Sequence, residues 1–299
     1  MEVVIDFNIN ETASSIYMLT DRVQPLFRRL RASHDHADRI DINLCGCEYF
    51  GPVGVVVLGL LVRKLRTAGV AVTVTPPAYP QLMAYSQYSG FAELCWGGPP
   101  PVANHPQNET TPLVFSTERR NGDIQRVITL VERHSLMSQH MIESLKTLLG
   151  EVLQNIEDHA GAEGALSARW FPSDQTVRVV IADLGWGLRQ TLADKHAPTS
   201  DKHALTLALK EKTTSKKGTR NFGNGLFMVH TLMKRNRGDL ILVSGDAIFD
   251  LAGGDRGTPA KPSALGKQAS FPGTLCALKF RIDHELYDGD DDDGADYNF

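Results

Sequence analysis

Cysteine is scarce in this chain: Cys45, Cys47, Cys95 and Cys276 are the four among 299 residues. That number and scatter exclude a disulfide framework. Cys45-Gly-Cys47 could contribute two zinc ligands, but no second Cys or His pair follows at finger-like spacing, so buried reduced thiols are expected. Charge of one sign is also missing. Lys and Arg total 31 against 35 Asp and Glu, and the net charge of −4 gives no general drive toward nucleic acid or membrane. Six Asp and no basic residue fall in the last twelve positions, so residues 287–299 read as an acidic, solvated and disordered tail. Aromatic residues make up 7% and do not interleave with a basic stripe, so nucleic-acid binding is not expected. Long hydrophobic runs are absent too. The longest, Val53–Val62, is too short to span a bilayer. The opening Met-Glu-Val-Val-Ile-Asp-Phe carries neither a basic region nor an apolar stretch of signal-peptide length, so a cytoplasmic protein without membrane attachment is expected. A P-loop is lacking, because Gly266-Lys-Gln has Gln where Ser or Thr is required. No internal repeat is found.

What is present is an ordinary globular composition, 42% apolar and 22% charged, of a length that suits two domains. The prolines of Gly97-Gly-Pro-Pro-Pro101 through Thr111-Pro112 cannot sustain a helix or a central strand, so residues 97–112 read as a linker. It separates a domain at 1–96 from another at 113–286. In the first, strands are expected at Val3–Phe7, Arg39–Leu44 and Val70–Val74. Helices are expected over residues 12–31 and Val55–Arg66. This strand–helix alternation predicts a parallel or mixed sheet covered by helices. In the second, a long helical stretch over Asp123–His159 breaks near Ser135–Ser138. Strands follow at 165–171 and 177–182, then a helix over 226–236 and strands at 239–244 and 274–282. Residues 245–272, rich in Gly, Pro and Ala and without periodicity, read as a mobile surface loop.

Three segments of the second domain carry chemistry. Glu151, Asn155 and His159 recur every four residues, which puts them on one side of a helix. On spacing alone a solvated helix face remains open. The apolar strand Val177–Ala182 delivers Asp183 at its end, followed by Gly185 and Gly187. A carboxylate there can accept a hydrogen bond from the exocyclic amine of adenine, and the glycines allow close backbone approach. A plain tight turn is the alternative. Finally, the segment 210–220 holds four lysines and an arginine and runs into Gly223-Asn224-Gly225-Leu226 before an apolar helix. Glycines at a helix start leave backbone N–H groups free to face an anion such as a polyphosphate. A flexible basic loop is the alternative reading.

In their order these elements resemble the ATP-binding domain of the GHKL superfamily, which includes gyrase and the histidine kinases. The resemblance covers residues 118–284. It rests on Glu151, Asn155 and His159; on Asp183, Gly185 and Gly187; on Gly223, Gly225 and Leu226; on Gly238-Asp-Leu with Ser244; and on Gly273-Thr274. It implies a Bergerat α/β sandwich holding ATP and Mg²⁺ beneath a lid. Asn155 would then ligate Mg²⁺, Glu151 would activate the attacking group, and Asp183 would read adenine with Thr274 beside it. Residues Gly223, Asn224, Gly225 and Leu226 would touch the phosphates. Thr213-Thr214-Ser215-Lys216 is similar to a stretch of the kinases and anti-sigma factors of that superfamily, which adds Thr214 and Lys216 to the ATP-binding residues. The first domain resembles the STAS fold of anti-anti-sigma factors. Gly51-Pro52-Val53 stands where those proteins carry a phosphorylated serine, so a structural or partner-docking module is implied instead.

The expected function is that of a GHKL-type regulator that hydrolyses ATP or phosphorylates a partner protein. The alternative is a non-catalytic switch in which ATP orders the lid and so controls partner binding or dimerisation. An unidentified protein partner and a homodimer are the assemblies in view. His134 and His140 do not begin a His-Glu phosphoacceptor pattern, and His34-Asp-His36 reads as a solvated loop.

Overall fold

The computed structural model describes residues 2–6, 39–100, 110–115, 120–135, 137–159, 161–210, 225–251, 260–265 and 270–282. The expected helix over 12–31 and the acidic tail lie outside them. Three parallel strands, β1 (Glu2–Asp6), β2 (Arg39–Asn43) and β3 (Ala71–Thr75), form a small sheet in that order. Between β2 and β3 runs α1 (Pro52–Thr67), and after β3 come α2 (Pro80–Tyr88) and α3 (Phe91–Trp96). The parallel arrangement agrees with the alternation in the sequence. Helices α2 and α3 have no counterpart in the sequence reading.

Helix α1 begins with Pro52 at a position whose N–H has no intrahelical partner, and ends in a turn carrying Lys64 and Arg66. Val55, Val56, Val57, Leu58, Leu60, Leu61 and Val62 are all buried, so the helix is apolar nearly all round. Such a helix needs cover on both sides. The small sheet covers one side through Ile40, Ile42 and Val74, and the large sheet covers the other.

That second sheet is antiparallel and seven-stranded. Its members are β4 (Val114–Phe115), β5 (Gly164–Phe171), β6 (Thr176–Asp183), β7 (Asp239–Gly245), β8 (Ala247–Asp250), β9 (Ser263–Ala264) and β10 (Phe271–Arg281). The spatial order is β4-β5-β6-β10-β7-β8-β9. Its helices are α4 (Arg120–His134), α5 (Gln139–His159), α6 (Gly187–Thr191), α7 (Ala193–His196), α8 (Asp201–Ala208) and α9 (Gly225–Arg235). Successive strand residues face opposite ways. Ala165, Val180, Ala182, Val243 and Leu275 therefore meet α1, while Leu166, Val179, Ile181, Leu242 and Leu278 meet α4, α5 and α9. The layers run small sheet, α1, large sheet, helices. Thr110 and Thr111 already bond to the sheet edge, Thr111 exchanging hydrogen bonds with Ala168.

Two expectations are corrected. Within 245–272, read as a mobile surface loop, the described residues include two strands. Strand β8 pairs with β7 from Ser244↔Ala247 to Ile241↔Asp250, β9 pairs with β8, and Ala247, Ile248 and Phe249 are buried. The run Ala247–Phe249 is too short for periodicity to register, yet a neighbouring strand gives it a ladder. Of the four thiols, Cys47, Cys95 and Cys276 are buried as expected, but Cys45 sits exposed in a turn. Among the described residues no helix is long and apolar enough to cross a membrane.

Candidate functional site

Strand β6 lies next to β10 at the centre of the large sheet and ends at Asp183, which is only 3% exposed. Its carboxylate is held from two sides. The N–H of Gly185 donates to Oδ1 at 2.8 Å, closing a local turn, and the N–H of Thr274 on β10 donates to Oδ2 at 3.2 Å. Burial pushes the carboxyl up to about 6, against the pull of those two N–H groups and of the Lys64 ammonium. A carboxylate taken out of water but ringed by donors keeps unused acceptor capacity for one more donor.

Close backbone approach makes this possible. Gly273 has φ +94, and a β-carbon there would lie 2.4 Å from Asp183 Oδ1. Gly187 has φ +75, and a β-carbon there would meet Ser244 Oγ at 3.0 Å and the Gly273 carbonyl at 3.1 Å. Only glycine takes such backbone angles without strain. Ser244 ties the wall together: its Oγ accepts the N–H of Leu188 at 2.8 Å and donates to the Gly273 carbonyl at 3.0 Å. Sequence reasoning noted Ser244 without a role. The signal it lacked was the register, in which Ser244 pairs with Thr274, whose N–H holds the Asp183 carboxylate.

Helix α5 brings the other motif to the same end of the sheet. Its residues Leu145, Leu149, Val152 and Ile156 are buried. Ile156 lies over Gly164, where a β-carbon would come within 2.7 Å of it, and Gly164 is the register partner of Asp183. Glu151 is half-buried, and its Oε2 is fully buried with no hydrogen-bond partner among the described residues. Burial raises its carboxyl above the ordinary range. Asn155, one turn on, is exposed. Thus one member of the predicted pair faces inward and the other faces solvent. The side chain of His159 lies outside the described residues.

Helix α9 opens at Gly225, and Leu226 is half-buried, packing against both the main helical cluster and the small one of Leu192, Ala204 and Ala208. Thr214, Lys216, Gly223 and Asn224 lie outside the described residues. Trp186, between the two glycines of the turn, is 58% exposed, and its ring lies against Gly161 just beyond α5. Behind the Gly187–Ser244 wall is an open cavity of about 620 Å³ bordered by Arg189, Asp201, Gly245 and Phe271. Of the predicted residues Gly187 lines it, with Trp186 and Ser244 beside it, whereas Asp183, Glu151 and Asn155 do not.

The structure therefore gathers Asp183, Gly185, Gly187, Ser244, Gly273 and Thr274 into one contact network, with α5 beside it. No protein-family model matches the chain, and no curated protein matches it in sequence.

Proposed function

We propose that this chain is a GHKL-type Mg-ATP-binding regulator, built as a STAS-like segment followed by a Bergerat sandwich, that hydrolyses ATP or phosphorylates a partner protein in the cytoplasm. The observation that carries the reading is Asp183: a buried carboxylate at the end of a central strand, gripped by the N–H groups of Gly185 and Thr274, with Gly273 letting the β10 backbone pack closely against it. Such a group accepts a hydrogen bond from the amine of adenine. A guanine offers a carbonyl at that position and would set two acceptors face to face, a costly arrangement in a desolvated site.

Glu151 supplies the base. Its buried, unsatisfied Oε2 and raised pKa suit a carboxylate that takes a proton from water or a partner hydroxyl as the oxygen attacks phosphorus. The Asn155 amide oxygen is a hard, exposed donor on the next turn. It fits Mg²⁺, which commonly takes one or two protein oxygens and completes its shell with water and phosphate. When bound, the ion would neutralise phosphate charge. Gly225 and Leu226 at the start of α9 would present helix N–H groups to the phosphates.

The test is incubation with γ-labelled ATP, with and without cell lysate, beside calorimetric titration of ATP and GTP. ATP binding with release of free label supports hydrolysis, and transfer of label to a lysate protein supports a kinase. ATP binding without loss of label, accompanied by an ATP-dependent change in oligomer size, supports the switch instead. Absence of ATP binding by the full chain overturns the reading.

A further inference from the structure

Two adjacent basic residues near the end of α1 reach the large sheet where the candidate site is built. Lys64 Nζ donates to the carbonyl of Leu184 at 2.5 Å, across 120 residues of sequence. Arg63 Nε lies 2.7 Å from Glu163 Oε2, and its guanidinium also sits 4.2 Å over the ring of Phe115. The register gives these contacts their meaning. Gly164 and Asp183 form the terminal rung of the β5–β6 ladder, so Glu163 and Leu184 are the residues at which both chains leave the sheet. One of those exits is the Asp183–Gly187 turn. The other is the connection from α5.

We propose that Lys64 and Arg63 are positioning residues for the nucleotide site: α1, a helix of the N-terminal segment, clamps both chain exits from the rear and holds the Asp183–Gly187 turn in the geometry that reads adenine. The inference deepens the ATP-binding reading and rests on it. An ammonium on a carbonyl is a charge-assisted bond, stronger than a neutral one. The bond on the Leu184 carbonyl and the bond from the Gly185 N–H to Asp183 hold the two ends of one planar peptide group, the first beyond the residue after the reader. Lys64 also lends positive charge to the buried carboxylate, favouring its ionised, accepting form. The N-terminal segment is thereby part of the site's construction rather than an appended module. The apolar body of α1 supplies the fixed platform, since Leu61, Val62 and Leu65 around the two basic residues are buried.

The test uses the full chain with Lys64→Met, which keeps the aliphatic stem, Lys64→Arg as the conservative variant, and Lys279→Met as a control. Lys279 pairs with Asp239 at 3.2 Å, well along β10 from the site. Without nucleotide, the amides of Gly185 and Leu188 in Lys64→Met exchange with solvent about tenfold faster than in the parent chain, because the turn that pairs them has lost its anchor. ATP affinity falls by about tenfold in the same variant. Lys64→Arg restores both, and Lys279→Met changes neither. Exchange at Gly185 and Leu188 unaltered in folded Lys64→Met overturns the clamp, whatever the nucleotide result. A parent chain that does not bind ATP overturns the functional reading separately, and the exchange measurement still decides the clamp.

Discussion

Gly273 and Asp183 approach so closely that a β-carbon on the glycine would come within 2.4 Å of the carboxylate and 2.3 Å of the Asp183 carbonyl. The contact is made where β10 shifts register between Phe271 and Thr274, and the displaced backbone brings the Thr274 N–H onto the carboxylate. Neither neighbour can yield, since one is backbone and the other is pinned by two hydrogen bonds. Gly273→Ala combines this overlap with a positive φ, so it is expected to cost about 2–4 kcal/mol of stability, readable by denaturant titration. ATP binding should be lost with it. A variant of parent-like stability would mean that the register shift relaxes freely and that the close approach is incidental.

Asp183 should make stability and ATP binding respond oppositely to acid. Its carboxyl is at about 6 in the folded chain against an ordinary 3.8, so the folded state holds a proton between those limits that the unfolded state has released. The contribution of this group to stability therefore increases as pH falls from 7 to about 4, and its ionisation costs roughly 3 kcal/mol above pH 6. On the proposed reading adenine recognition needs the ionised form, so ATP affinity should decline as pH drops below about 6 while this contribution to stability improves. Lys64 is the cation that opposes the shift. Asp183→Asn should abolish ATP binding and remove this component of the pH–stability curve, measured as parent minus variant. Intact ATP binding by Asp183→Asn would refute the adenine assignment.

If the proposed reading holds, Glu151 and Asn155 should separate chemistry from binding. Glu151→Gln keeps the shape of a half-buried side chain but cannot take a proton. ATP affinity should then change by less than about threefold while turnover falls by roughly 10²–10⁴-fold. Asn155→Ala should weaken binding only in the presence of Mg²⁺, which titration with and without a chelator would show. Turnover unaffected by Glu151→Gln would remove it from the base role.

How far the sequence foretold this arrangement depended on the range of the interaction. Strands β5 and β6 and helices α4 and α5 were visible because their apolar spacing is long and regular, and even the break between the two helices near Ser135–Ser138 was marked. Asp183 and its glycines stood out because a strand delivers them and local turn chemistry labels them. The helices α6, α7 and α8, each eight residues or shorter, were not visible, since α6 and α8 hold through contacts with β7, β8 and β10, and α7 through contact with α6, rather than through their own periodicity. Ser244 was marked without a role, and Lys64 was not marked at all. A serine on a strand and a lysine near a helix end are ordinary residues until register and packing bring them to Leu188 and Leu184. The apolar run of α1 was rightly read as too short for a membrane, but its burial between two sheets is a tertiary fact no single segment discloses.

Trp186 offers a direct optical readout of the site. It follows Gly185, is 58% exposed, and rests on Gly161, so it joins the rim of the Asp183 turn to the chain leaving α5. The other two tryptophans are engaged elsewhere: Trp170 stacks on His134 at 4.4 Å and Trp96 packs edge-on against Phe91 at 5.8 Å. A ligand seated at Asp183 therefore changes the solvent contact of one indole only. ATP should shift or quench emission with a midpoint equal to the calorimetric Kd, and Trp186→Phe should erase the signal while leaving that Kd within about threefold. Gly161→Ala, which has φ +59 and would set a β-carbon 2.8 Å from the indole, should displace the ring and alter emission before any nucleotide is added. A nucleotide-dependent signal that survives Trp186→Phe would place the bound ligand near Trp170 or Trp96 and away from Asp183.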